Sequence, residues 1–242
     1  MDLLAPLNRA IMAVHDAGLS TIFYHAWIVV VYIAVAAFCL FWRRHYGYGW
    51  FRSLLIPLVL LIAFYLCVLL MGWVRSGFTF LGSKNAELGY PLVPLMVMAL
   101  ARLMKDDWRR MLDFMTPGYA LLLAVFKVSC CFAGCCFGYP TAHGLWNPIF
   151  EQTLFPVQIV EGIASLILCI VCCRAAKKHE YRVTGRLYPL FLVLFGAFRF
   201  FADFLRLSPT LFWGLSDLAL VALAMVVIGA VWLLRTGQKK SA

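Results

Sequence analysis

Apolar residues run along this chain in blocks of about twenty, separated by short polar connections. Seven such blocks occupy about 22–42, 52–72, 88–104, 116–136, 156–174, 187–205 and 211–234. A stretch of about 20 apolar residues is what a helix needs to cross about 30 Å of hydrocarbon. Lipid offers no partner to an unpaired backbone group, so the blocks are predicted to be helices. The third has the shortest apolar core, with Pro91 and Pro94 near its start. The segment 3–17 is too short to span and is expected to lie along the interface. The pattern therefore predicts an all-α integral membrane protein with about seven transmembrane helices.

Charge orients these helices. One set of alternate connections holds Arg43, Arg44, Arg52, Arg102, Lys105, Arg109, Arg110, the cluster from Arg174 to Arg186, and Arg235, Lys239 and Lys240. That set carries 15 basic residues, against four (Arg9, Arg75, Lys84 and Arg206) in the other set. Basic loops stay cytoplasmic, which places the N-terminus outside and the C-terminus inside. The expected organisation is an extracytoplasmic or interfacial segment 1–21, one seven-helix domain 22–234 and a cytoplasmic tail 235–242. Tryptophans near the ends of the blocks, such as Trp42, Trp50, Trp73 and Trp232, fit an interfacial belt.

Composition removes the main alternatives. At 64% hydrophobic and 13% charged residues, the chain lies far outside the range of soluble domains. A net charge of +10 suggests nucleic acid at first sight, but the basic residues sit between apolar runs and are accounted for by topology. Asp2, Arg9 and Asp16 make the first residues unlike a cleavable secretory signal. Of the nine cysteines, Cys39, Cys67, Cys169, Cys172 and Cys173 lie in apolar runs, where cysteine packs as a small soft hydrophobe.

Ionisable residues inside the hydrocarbon are costly, and each needs a reason. Lys127 lies in the fourth block, Gln158 and Glu161 in the fifth, and Arg199 and Asp203 one turn apart in the sixth, followed by Arg206. With the predicted orientation all of them fall in the outer half of the membrane, together with Tyr24, His25 and the connection that carries Gly82 and Lys84. Structural pairing of Arg199 with Asp203, and of Lys127 with Glu161, is one reading. The excess of cations points instead to an anionic ligand, and a phospholipid head group is the expected one. The run from Lys127 to Thr141 carries four cysteines: Cys131 and Cys135 on one helical face, with Cys130 and Cys136 to either side. Gly134 and Gly138 permit close approach of a backbone or a lipid. Such thiols suit packing, disulfide chemistry, a soft metal or a nucleophile, but the spacing is not that of a zinc site, so neither metal nor cofactor is expected.

Several motifs together resemble the bacterial prolipoprotein diacylglyceryl transferases, over about 20–235. Leu112-Asp-Phe-Met-Thr-Pro117 is similar to the family's Asp-Phe-Ile-Ala-Pro stretch, and Lys127 to Gly138 falls where its signature Arg-x-Gly-Asn-Phe-x-Asn-Gly-Glu-x-x-Gly belongs. Phe155-Pro-Val-Gln-Ile-Val-Glu161 resembles its His-Pro-x-Gln-Leu-Tyr-Glu element, and Gly196 to Arg206 its Tyr-Gly-x-x-Arg-Phe-x-x-Glu-Phe-x-Arg element. Phe80-Leu-Gly-Ser83 occupies the place of a His-Gly-Gly loop. The resemblance implies a seven-span enzyme of the cytoplasmic membrane that moves the diacylglyceryl group of phosphatidylglycerol onto a lipobox cysteine of a prolipoprotein. It implies Arg199, Asp203, Lys127 and Cys135 at the catalytic positions. Arg206, Glu161, Gln158, Gly138, Gly82, His25 and Cys130 would bind substrate. This sequence departs from the pattern at Lys127, Cys130, Ala133 and Cys135 of the signature, at Leu81 of the loop, and at Val160. Two alternatives remain: a thiol-redox or soft-metal-handling membrane protein using the cluster 130–136, and a non-catalytic phospholipid-binding relative.

Overall fold

A computed structural model describes residues 4–75, 92–207 and 214–238. The chain forms eight α-helices among these residues: α1 (Ala5–Asp16), α2 (Ser20–Trp42), α3 (Trp50–Arg75), α4 (Val93–Leu103), α5 (Trp108–Ala133), α6 (Val157–Ala176), α7 (Leu187–Asp203) and α8 (Asp217–Gln238). A short 3-10 turn, Arg43–His45, closes α2. Four helical stretches, Ser20–His45, Trp108–Ala133, Val157–Ala176 and Asp217–Thr236, are long and apolar enough to cross a membrane, and Trp50–Leu66 and Val93–Leu103 are shorter apolar helices. Many large apolar side chains face outward, including Ile22, Ile33, Phe41, Ile163 and Phe201, as lipid-facing surfaces require.

The helix α5 runs through the centre, packed against α2 and α6, while α7 packs along α8. Phe114, Tyr119 and Leu123 of α5 share one buried core with Val31 and Cys39 of α2, Cys172 of α6 and Phe191 of α7. The indole of Trp27 crosses from α2 and donates to the Val125 carbonyl at 2.9 Å. Small residues let α7 and α8 approach: a Cβ on Gly196 would lie 2.8 Å from the Ala222 carbonyl, and one on Gly229 2.8 Å from the Pro189 carbonyl.

Two features differ from the sequence expectation. First, α5 starts at Trp108 rather than near residue 116, because Asp107 caps it by accepting from the Arg109 N–H at 2.9 Å and Pro117 is absorbed inside the helix. Its other end comes early. Gly134 adopts φ 68°, a left-handed cap, so Cys135 and Cys136 lie beyond the helix and Cys131 and Cys135 do not share a helical face. Second, residues between α5 and α6 are not a plain connection but an antiparallel hairpin, β1 (Pro140–Asn147) and β2 (Gln152–Leu154), with Leu145 opposite Leu154 and an irregularity between Pro140 and Leu145. The amphipathic α1 covers this hairpin: Asn8 donates to the Gly144 carbonyl at 3.2 Å and accepts from the Trp146 N–H at 2.9 Å. Ile11, Cys131, Phe132 and Leu145 close a second small core beneath it.

Candidate active site

Glu161 sits on the first turns of α6, 1% exposed, and three cations reach it from three other places in the chain. Lys127 of α5 pairs with its Oε2. Arg199 of α7 approaches Oε1 at 3.1 Å. Arg206, just past the end of α7, donates Nη2 to both oxygens at 2.7 and 2.8 Å. Asp203 lies 3.9 Å from Arg199 through its Oδ1, and its Oδ2 accepts the hydroxyl proton of Ser216. Ser216 in turn accepts from the Ala219 N–H at 3.0 Å, which ties the start of α8 to the site. Among the described residues, three cations thus face two carboxylates in a buried position. Glu161, not Asp203, is the shared counter-charge, so the two separate pairs suggested by the sequence merge into one network.

The local backbone explains how these groups meet. A Cβ added to Gly162 would touch Lys127 Cβ at 3.4 Å, so α5 and α6 pack closely beside the Lys127–Glu161 pair. Gly138 forms an isolated bridge to Arg206, and a Cβ there would stand 2.6 Å from the Leu205 carbonyl and 2.9 Å from Phe155 Cβ. The close approach expected at Gly138 is made by the chain's own backbone, and it fixes Arg206 against the loop leading to the hairpin.

Beyond Gly134 the chain turns back on itself. Cys136 adopts φ 60°, a left-handed conformation that costs a non-glycine residue. Gln158 donates to the Cys135 carbonyl at 2.7 Å, and the buried Asn147 donates to the Gly134 carbonyl at 2.8 Å. This turn brings the sulfurs of Cys130, Cys135 and Cys136 within 4.8 Å of one another. Lys127 Nζ donates to Cys136 Sγ at 3.8 Å, linking the thiols to the ionic network. Cys131 belongs elsewhere: its thiol donates to the Lys127 carbonyl at 3.4 Å and packs against Ile11 and Leu145.

Nearly all the sequence candidates therefore gather in one place: Lys127, Gln158, Glu161, Arg199, Asp203, Arg206, Gly138, Cys130 and Cys135. His25 is exposed on α2, its Nδ1 donating to the Thr21 carbonyl at 2.8 Å. Gly82 and the Phe80–Ser83 stretch lie outside the described residues. Sequence reasoning missed Ser216 and Asn147, which sit in polar connections with no motif to single them out. Asp107 and Asp113 act at the far end of α5, Asp113 by accepting the N–H groups of Thr184, Gly185 and Leu187 at 2.8, 2.8 and 3.1 Å.

The sequence pattern of the prolipoprotein diacylglyceryl transferases matches residues 71–235. Similar proteins include the phosphatidylglycerol–prolipoprotein diacylglyceryl transferase of Clostridium tetani, 31% identical over 114 residues, which are 43% of this chain and 45% of that protein. The protein of the same name from Cupriavidus metallidurans is 31% identical over 171 residues, 64% of this chain and 61% of its own. Transferase 2 of Clostridium perfringens is 25% identical over 147 residues, 57% and 56% of the two chains. The chain thus spans about half the length of the relatives it matches. The family pattern extends over more than half of the chain and takes in Lys127, Glu161, Arg199 and Arg206, so the chain belongs to the prolipoprotein diacylglyceryl transferase family.

Proposed function

We propose that this chain transfers the diacylglyceryl group of phosphatidylglycerol, or of another anionic phospholipid, to the thiol of an acceptor such as a prolipoprotein. The relatives are named for phosphatidylglycerol and prolipoprotein. The observation that carries the reading is the convergence of three cationic side chains on Glu161 in a buried position among the described residues. A phosphodiester suits such a cluster of cations, and a guanidinium fork matches its oxygens.

In this reading Arg199 binds the lipid phosphate, with Arg206 and Asp203 orienting it. Glu161 and Gln158 hold the walls: Glu161 fixes Arg206 in a two-oxygen grip, and Gln158 fixes the Cys135 carbonyl. Lys127 replaces a signature arginine as a point charge. Cys130 and Cys135 line the same turn, with Gly138 against Arg206; Gly82 and His25 are proposed to contact substrate. The acceptor sulfur attacks the glyceryl carbon, the carbon–oxygen bond to phosphate breaks, and glycerol phosphate leaves as the thiol proton passes to solvent. Cations facing the departing phosphate lower the barrier by stabilising charge as it develops.

The same proposal covers topology and location: one seven-span domain, 22–234, in the bacterial cytoplasmic membrane, with the N-terminus outside and the site in the outer half. Contacts among the basic connections support it. Arg52 lies 3.6 Å from Asp106, Arg182 donates to the His45 carbonyl, and Thr184 meets Asp113, so these connections gather at one end of the bundle. The hairpin and the Glu161 network lie at the other end of α5.

The test is a mass-spectrometric transfer assay in bilayers containing phosphatidylglycerol with a lipobox peptide. A mass gain of one diacylglyceryl group is expected. Arg199→Leu should lower the rate by about 10²–10³-fold. Arg199→Lys, which retains the charge and balances Glu161, should fold normally yet stay slower than the parent. No mass gain across several anionic lipids rules the reading out.

A further inference from the structure

The lipid-transfer reading uses the cysteine-rich turn as a wall of the site, but its three sulfurs suit a second chemistry. Cys130 ends its helix turn facing back toward the two residues beyond Gly134, and the three sulfurs form a triangle no more than 4.8 Å on any side. Three sulfurs around one metal at about 2.3 Å stand roughly 4 Å apart, so a small contraction suffices. The triangle is built, not accidental. A left-handed Gly134 and a left-handed Cys136 shape the turn, and Asn147 and Gln158 clamp its two carbonyls from the hairpin and from α6.

We propose that Cys130, Cys135 and Cys136 form a three-sulfur site for a thiophilic d10 cation of the Cu(I) class. Soft thiolates select such ions, whereas zinc in a closed site asks for four tetrahedral ligands. No fourth sulfur, imidazole or carboxylate joins the group among the described residues. The fourth cysteine of the run, Cys131, turns away into the small core under α1, and Glu161 is held by its cations. Binding replaces three S–H bonds by three metal–sulfur bonds; the protons go to solvent and the metal keeps its oxidation state. Lys127 Nζ, 3.8 Å from Cys136 Sγ, offsets part of the thiolate charge directly. Sequence spacing hid this site, because the ligands converge through a chain reversal and not through paired C-x-x-C motifs.

Full-length protein in lipid nanodiscs, reduced and kept anaerobic, would be titrated with Cu(I) against a chromogenic chelator. One tightly held copper per chain is expected, with X-ray absorption showing three sulfur neighbours. Cys130→Ser and Cys136→Ser should each weaken binding by at least tenfold, and Cys131→Ser should leave it unchanged. Unfolding midpoints of the variants separate lost ligands from lost fold. Absence of stoichiometric copper, or unchanged copper in the Cys130→Ser/Cys136→Ser double variant, overturns the proposal. The readout is the metal alone, so it stands or falls separately from the lipid-transfer assay.

Discussion

At Glu161 two carboxylate oxygens answer three cationic side chains, and the balance of this position is delicate because water is nearly excluded. Removing the carboxylate charge leaves Lys127, Arg199 and Arg206 without the counter-charge they share. Breaking such a buried arrangement from one side costs about 3–5 kcal/mol. Glu161→Gln is therefore expected to lower the unfolding free energy by that amount, and a thermal or denaturant unfolding curve in detergent measures it. An unchanged midpoint contradicts the central role given to Glu161. The residues of this network were legible in the sequence, since Lys127, Glu161, Arg199 and Asp203 interrupt apolar runs where a charge needs a reason. Their pairing was not. Depth along a span follows from counting residues, but which carboxylate meets which cation depends on how helices rotate against each other. Hydropathy carries no information about that rotation. The same limit applies to the cysteines: helical spacing joined Cys131 to Cys135, and a left-handed glycine at position 134 separated them.

Among the elements, α5 links both ends of the molecule. Its C-terminal end delivers Lys127 and Cys130 to the site; its first turns are anchored by Asp113, buried and accepting three backbone N–H groups from the segment that leads into α7. This clasp sets the start of α7, and α7 carries Arg199 to Glu161. Asp113→Ala leaves three donors without their acceptor, and at about 1–3 kcal/mol each the loss of stability should reach at least 3 kcal/mol. Unfolding measurements check this, and retention of full stability contradicts the clasp. Helix existence was readable because long apolar runs in lipid have one backbone solution. The hairpin was not readable. Its strands are short, mix polar and apolar residues, and gain their order from α1 through Asn8 rather than from their own sequence pattern. The early start of α5 was concealed by Pro117, which reads as a boundary yet sits inside the helix.

For the whole molecule, the distribution of charge and the contacts of the loops speak to the same property. Fifteen basic residues in one set of connections against four in the other bias those connections to the cytoplasm. The structure adds an independent constraint: the first turn of α3 touches the connection before α5 through Arg52–Asp106, and the segment before α7 touches the connection after α2 through Arg182–His45 and the first turns of α5 through Thr184–Asp113. Segments in mutual contact lie on one side of a bilayer, so a single orientation must serve all of them. If that side is cytoplasmic, the hairpin, α1 and the thiol turn face outward, where an exported acceptor and the outer leaflet are both within reach. A green fluorescent protein fused after Arg235 should then fluoresce, and alkaline phosphatase inserted at the hairpin tip, beside Phe150, should be active in the periplasm. The reverse pattern, dark at the first position and inactive at the second, inverts the topology and removes the site from the compartment in which an exported thiol acceptor would meet it.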